Sequence, residues 1–229
     1  MKKLMAVILS IVGIMLMSVG PAASMGDATV YVVHGIPDVV VDVEIVGVGC
    51  ALQGFEFGDI AGPLTLPEGT YTIKISPENP MDPCTNMPVI EADVPFAADE
   101  NVTVIAHLDD MGNPTASKFD NDFSPTDRGK ARLIVHHTAY APTVDIKVSR
   151  NGGNSPSIDV TDFSNGDQAV AQTRPGEWYV SIFPAGGMDP AFGPIMVELE
   201  PFTAYRIYAV GSLMDGTFTL LVFPMGGLK

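Results

Sequence analysis

The chain has 229 residues, 46% of them hydrophobic and 17% charged, with a formal net charge of −15. That length allows one large domain or two ordinary ones at about 100–200 residues each. The negative charge repels phosphate backbones and anionic head groups, which makes nucleic acid and acidic membranes poor partners.

The chain opens on Met1-Lys2-Lys3, continues with an apolar run from Leu4 to Val19, and reaches Gly20-Pro21-Ala22-Ala23-Ser24 before its first acid, Asp27. A basic start, an apolar stretch and small residues at Ala22 and Ser24 predict a signal peptide over 1–24, cut before Met25. A transmembrane anchor fits less well, because the apolar core is marginal for a ~30 Å hydrocarbon layer. Without Lys2 and Lys3 the mature charge is −17. No lipid-attachment cysteine stands at the cut, and residues 223–229 add no second apolar span. The mature chain is therefore expected to have no membrane span and to be secreted or held at a cell surface, or periplasmic if the host has an outer membrane.

A repeat follows. Ala28-Thr-Val-Tyr-Val-Val-His34, with Asp42 eight residues on, is answered by Ala131-Arg-Leu-Ile-Val-His-His137, with Asp145 eight residues on. Pro67-Glu-Gly69-Thr-Tyr71-Thr-Ile73-Lys-Ile75 is answered by Arg174-Pro-Gly176-Glu-Trp178-Tyr-Val180-Ser-Ile182. Pro95-Phe96 recurs as Pro201-Phe202, and Val104-Ile-Ala106 as Ile207-Tyr-Ala209, so the offset stays between about 103 and 107 residues. An internal duplication accounts for this and predicts two domains, 25–125 and 126–229, divided near Pro125.

Within each copy Tyr71, Ile73 and Ile75, and Trp178, Val180 and Ile182, alternate with polar or exposed-phase residues, the pattern of strands with one face on a core. Gly and Pro punctuate at short intervals, and no ten-residue stretch of the mature chain holds a 3.6-residue apolar period. The expected fold is all-β: two tandem Ig-like or prealbumin-like antiparallel β-sandwiches with seven or so strands each. An up-and-down barrel is disfavoured by the shortness of each copy. The polar connector Phe119–Lys130 offers little apolar surface, so the halves are expected to fold independently.

These segments resemble a known family. Val33-His34-Gly-Ile-Pro37-Asp38 through Val43, Leu66-Pro-Glu-Gly69-Thr-Tyr71-Thr-Ile73, and Ala204 through Leu220 are similar to the bacterial domain catalogued as domain of unknown function 4397. Two tandem copies would cover nearly all of the mature chain. The resemblance implies an exported β-sandwich module with no established activity and no catalytic residues to carry over. The second copy departs from the pattern at Thr138-Ala-Tyr140-Ala-Pro142, which puts any function of that turn in doubt.

Several residues invite a chemical reading. Cys50 and Cys84 are expected to form a disulfide in an oxidising compartment, constraining the unfolded chain by roughly 4 kcal/mol. His34 with Asp42, and His137 with Asp145, would share a sheet face if residues 28–34 and 41–47 form a hairpin. A structural hydrogen bond at the hairpin mouth is favoured over a metal ligand or general base, since no nucleophile or further ligand stands at useful spacing. Asp109 and Asp110, and Asp120, Asp122 and Asp127, offer oxygens of the kind calcium takes, without the full loop spacing of a calcium motif. Gly47-Val-Gly49 lacks the third glycine of a dinucleotide fingerprint and reads as a turn. Trp178 falls on the inward phase and reads as core.

The expected function is an exported, non-catalytic binding or structural module, with no cofactor beyond a candidate calcium ion and with an envelope protein or glycan as partner. The alternatives are a metal-assisted enzyme using the two His/Asp pairs, and a calcium-binding adhesion module.

Overall fold

The computed structural model describes residues 26–150 and 157–229, so the signal segment lies outside the described residues. The first half forms β1 (Asp27–His34), β2 (Val41–Ile45), β3 (Gly49–Phe55), β4 (Ile60–Pro67), β5 (Gly69–Pro77), β6 (Ile90–Phe96), β7 (Asn101–Leu108) and β8 (Pro114–Asp120). The second forms β9 (Ala131–His137), β10 (Val144–Ser149), β11 (Ser157–Phe163), β12 (Gln168–Thr173), β13 (Gly176–Pro184), β14 (Phe192–Leu199), β15 (Ala204–Val210) and β16 (Thr219–Met225). Among the described residues there is no α-helix, and none long and apolar enough to cross a membrane.

Each half is a sandwich of two four-stranded sheets. The first pairs β4-β1-β7-β8 and β3-β2-β5-β6; the second pairs β12-β9-β15-β16 and β11-β10-β13-β14, the same order with eight added to each number. Each half thus has eight strands, in a prealbumin-like arrangement. The sheets are not wholly antiparallel, because β1 runs parallel to β7 and β9 parallel to β15. Alternation fixes the inner faces. Val30 and Val32 of β1 and Val102 and Val104 of β7 share one core cluster with Val43, Ile45, Ile73 and Ile75 of the opposite sheet.

The expected hairpin of residues 28–34 with 41–47 does not form. β1 bonds to β4 and β7, β2 bonds to β3 and β5, and the two lie in different sheets. Gly35-Ile-Pro37-Asp38 carries the chain across, with Ile36 buried in the core and Asp38 at φ 61°.

The halves are joined by more than a connector. Along β1, β7, β9 and β15 the residues of the outward phase are buried too: Tyr31 and Val33, Thr103, Ile105 and His107, Arg132, Ile134 and His136, and Arg206, Tyr208 and Val210. Val33, Ile105, Phe119, Tyr208 and Val210 form a single apolar cluster drawn from both halves. Burial of each branched side chain there is worth about 1.5–3 kcal/mol, which offsets the cost of desolvating the polar groups among them. At one close approach the Gly211 amide donates to the Gly35 carbonyl at 3.3 Å. A Cβ on Gly35 would lie 2.8 Å from Val210 Cγ1, so no larger residue fits.

The polar members of this seam are held by aromatic faces. His136 stacks on Tyr208 with centroids 4.4 Å apart and tilts against Phe119 of the other half at 4.6 Å. The Arg206 guanidinium lies 4.2 Å from the Tyr31 ring centre and 5.3 Å from that of Phe123, a cation–π contact in place of a carboxylate partner. The connector is anchored as well: buried Arg132 donates to the Asp122 and Ser124 carbonyls, both at 2.8 Å. Besides the linker, then, the halves share apolar surface, that of the sheets with Phe119 and Phe123 of the connector packed against it.

Burial pushes the His136 imidazole down to about 4, helped by Arg206 and opposed by its hydrogen bond to the Ile207 carbonyl. The unfolded chain then binds a proton near pH 6.5 that the fold refuses until about pH 4, so stability falls as pH drops through that window. The predicted loss from His136 alone is about 3 kcal/mol at ~1.36 per unit. Urea unfolding at pH 7, 5.5 and 4.5 should show a shallower decline for His136→Phe than for the unaltered chain; equal slopes would contradict this.

Candidate functional site

The repeated histidines and aspartates occupy equivalent places in the two halves but do not meet each other. His34 Nε2 donates to the Val39 carbonyl at 2.9 Å, and its Nδ1 accepts the Ile36 amide at 3.4 Å. His137 Nε2 donates to the Pro142 carbonyl at 3.2 Å. Each ring therefore ties down the segment that crosses between sheets. Burial holds both imidazoles below their ordinary value, so both are neutral near pH 7.

Asp42 accepts the Gly54 amide at 3.1 Å on one oxygen and the Asn79 and Cys84 amides, both at 3.0 Å, on the other. Burial alone would raise its pKa; the Cys84, Asn79 and Gly54 amides outweigh that and lower it. Asp145 does the same work in the second half, accepting the Asp162 amide at 2.9 Å and the Gly186 amide at 2.8 Å. The His34/Asp42 and His137/Asp145 pairings are thus corrected to four separate backbone clamps, because each histidine and its aspartate stand in opposite sheets.

Cys50 and Cys84 form the expected disulfide, with sulfurs 2.06 Å apart. The acidic candidates stay apart. Asp109 accepts the Met111 and Asn113 amides and shapes the β7–β8 turn with Asp110 exposed beside it. Asp120 lies at the other end of β8, about 20 Å away at ~3.3 Å per residue. Asp122 faces Arg132 at 3.1 Å, and Asp127 faces Lys130 at 3.4 Å. Among the described residues no three His, Cys, Asp or Glu side chains converge on a common point. Trp178 is buried in the second core and donates to the Arg174 carbonyl at 2.9 Å. Met81 and Met188, in equivalent loops, are almost fully exposed.

The site that stands out is one that sequence reasoning missed: the interior of the second sandwich is hollow. A chamber of about 300 Å³ lies between its sheets, lined by Leu133, Val144, Val180, Val197, Ile207 and Leu220 among others. The corresponding space in the first sandwich is about 10 Å³. Strand registers match the two cores position by position. Val32, Val41, Ile73, Val94 and Val104 are buried, whereas their equivalents Val135, Val144, Val180, Val197 and Ile207 are only half-buried. Left empty, a hollow of this size would cost about 7 kcal/mol at ~24 cal/mol per Å³, against a domain stability of about 5–15 kcal/mol. Water gains little there, since it needs two to four polar partners and the walls are nearly all hydrocarbon.

The opening has a cause in sequence. In the first half Lys118 on β8 reaches over to β6, donating to the Pro95 carbonyl at 2.8 Å and pairing with Glu100 at 2.7 Å, with its ammonium 5.8 Å from the centre of the Phe96 ring. β6 and β8 close on each other there. Register places Val222 where Lys118 stands, Thr203 where Glu100 stands and Leu199 where Phe96 stands, so Pro201-Phe202 lies beyond the strand and is not the counterpart of Pro95-Phe96 that the recurrence suggested. Without that strap β14 and β16 make no comparable approach. Val222 and Glu198 line the chamber yet are exposed, as are Ala191 and Leu213 at its loop end, so it opens both between these strands and at the loops.

Fold and site together define an all-β protein of paired sandwiches, one closed and one hollow. The chain belongs to the family described as domain of unknown function (DUF4397), whose model matches residues 28–147. No curated protein matches it. Among solved structures it is similar to a candidate cell adhesion protein from Bacteroides ovatus ATCC 8483, at 10% identity and a TM-score of 0.28, covering 85% of this chain and 95% of that one. It is also similar to the Bacillus anthracis TIE protein, at 11% identity and a TM-score of 0.25, covering 82% of this chain and 33% of the other. Both scores are too low to bear on function.

The clamps are open to test by unfolding. Asp42→Ala should lose about 3 kcal/mol, since three amides forfeit a charged acceptor, and His34→Ala about 1–2 kcal/mol. Urea midpoints unchanged in both variants would show that the loops hold without them.

Proposed function

We propose that the protein is an exported, non-catalytic binding module of the cell surface or extracellular space. It carries two tandem family domains, 25–125 and 126–229. The closed first sandwich is a rigid base, and the hollow second sandwich holds a small apolar ligand. The observation that carries this reading is the difference between the two interiors. The same strand order encloses a filled core in one half and a chamber of about 300 Å³ in the other, a size at the lower end of the ~300–1,000 Å³ of ligand sites. Export is supported by the signal-like segment 1–24 and by the Cys50–Cys84 bridge, of a kind that persists in oxidising compartments. The non-catalytic role is supported by the backbone engagement of the repeated histidines and aspartates.

Titration of the mature chain with N-phenyl-1-naphthylamine, an uncharged probe that fluoresces in apolar surroundings, tests this reading. Saturation at one molecule per chain is the expected outcome. No gain in emission overturns it, and so does saturation at two molecules per chain.

A further inference from the structure

The methionines stand where this residue type is least expected. Seven of the twelve lie among the described residues, and six of these, Met81, Met87, Met111, Met188, Met196 and Met214, are between 54% and 94% exposed. None belongs to a core cluster; the cores are built of valine, isoleucine, leucine, alanine and aromatic rings. Methionine ranks with the residues most often buried, and a core place is worth about 1.5–3 kcal/mol that an exposed thioether does not gain.

Their places recur between the halves. Met81 lies between β5 and β6 and Met188 in the equivalent loop between β13 and β14, while Met111 lies between β7 and β8 and Met214 between β15 and β16. Each half thus presents a thioether at the same two corners. Register puts Met196 of β14 where Asp93 stands on β6, so an exposed acid in one half is an exposed thioether in the other.

The other easily oxidised groups are withdrawn. Cys50 and Cys84 are joined as a disulfide, and Trp178 is 5% exposed. Accessible reduced sulfur among the described residues is therefore thioether sulfur. An uncharged oxidant such as hypochlorous acid meets no repulsion from the net charge of −15. Oxidation turns an apolar methionine polar and disrupts a core that contains it. Here neither core does.

We infer that the protein consumes hypohalous acid at these six surface methionines and keeps its fold while doing so. Each sulfur attacks the chlorine of hypochlorous acid with a lone pair, and hydroxide leaves. Water then adds to the chlorosulfonium sulfur, and loss of chloride and two protons leaves the sulfoxide. Sulfur gives up two electrons and chlorine takes them. A sulfoxide reductase supplied with a dithiol reverses the change, the oxygen leaving as water and the dithiol becoming a disulfide, so the sink is renewable. This role is independent of what the second sandwich holds.

The mature full-length chain is titrated with hypochlorous acid and read by peptide mass spectrometry, Trp178 emission and Tm. One oxygen is expected on each of the six methionines before Trp178 or the disulfide reacts, with Tm shifted by less than about 2–4 °C. N-acetylmethionine added in equal thioether concentration should share the oxidant about equally, since susceptibility follows exposure. Replacing all six by leucine should leave the oxidant to that competitor. Should such a chain not fold, Met81→Leu with Met188→Leu, at the two most exposed positions, should remove two of the six equivalents. Early loss of Trp178 emission, a collapse of Tm with the first sulfoxides, or undiminished uptake by the leucine variants overturns the proposal. Sulfoxides that methionine sulfoxide reductase and dithiothreitol leave unreduced overturn the renewal.

Discussion

Burial of both faces of four strands is the constraint on which the rest of the molecule depends. A strand in a lone sandwich has a wet side; β1, β7, β9 and β15 have none, because the sheet β4-β1-β7-β8 of one half packs on the sheet β12-β9-β15-β16 of the other. Val33, Ile105 and Val210 supply the apolar weight, and His136, Arg206 and Tyr208 are admitted only through the rings stacked on them. The central layer of the protein is thus fixed from both sides, and freedom is left to the outer sheets, β3-β2-β5-β6 and β11-β10-β13-β14.

That asymmetry matches where the two halves differ. The shared floor tolerates little change, as the fit of Gly35 against Val210 illustrates. The rim between the last strands of the two sheets bears no such load, and there the halves differ: Lys118, Phe96 and Glu100 seal one, while Val222, Leu199 and Thr203 leave the other open. A few side chains at an edge decide whether a sandwich is a solid or a container, because everything deeper in it is already held in place.

Much of this was legible in the residues. The alternation at Tyr71–Ile75 and Trp178–Ile182 gave strands, and the ordered recurrence of His-to-Asp and Pro-Gly segments gave two like halves. The crossing at Gly35–Asp38 was not legible, since two strands joined by a short polar turn read as a hairpin unless their partners are known. The seam between the halves left a signal that alternation obscures: Val30-Tyr-Val-Val33 and Ala204 through Val210 are apolar or aromatic on nearly every residue, the mark of strands covered on both faces. The hollow left almost none. It goes with changes at the rim, Val222 for Lys118, Leu199 for Phe96 and Thr203 for Glu100, that show only when the two halves are set in register through the hydrogen-bonded ladders.

The clamp at Asp42 has a consequence for how the chain matures. Its carboxylate holds the Cys84 amide directly, and Cys84 pairs with Cys50 across the same loop. The position of Cys84 is therefore set by a charge that needs no oxidant. The other oxygen of Asp42 accepts the amide of Gly54 on β3, the strand that carries Cys50, so one carboxylate ties the two arms of the bridge together by contacts that do not depend on oxidation. That corner is thus pinned twice, once by a covalent bond and once by a buried charge.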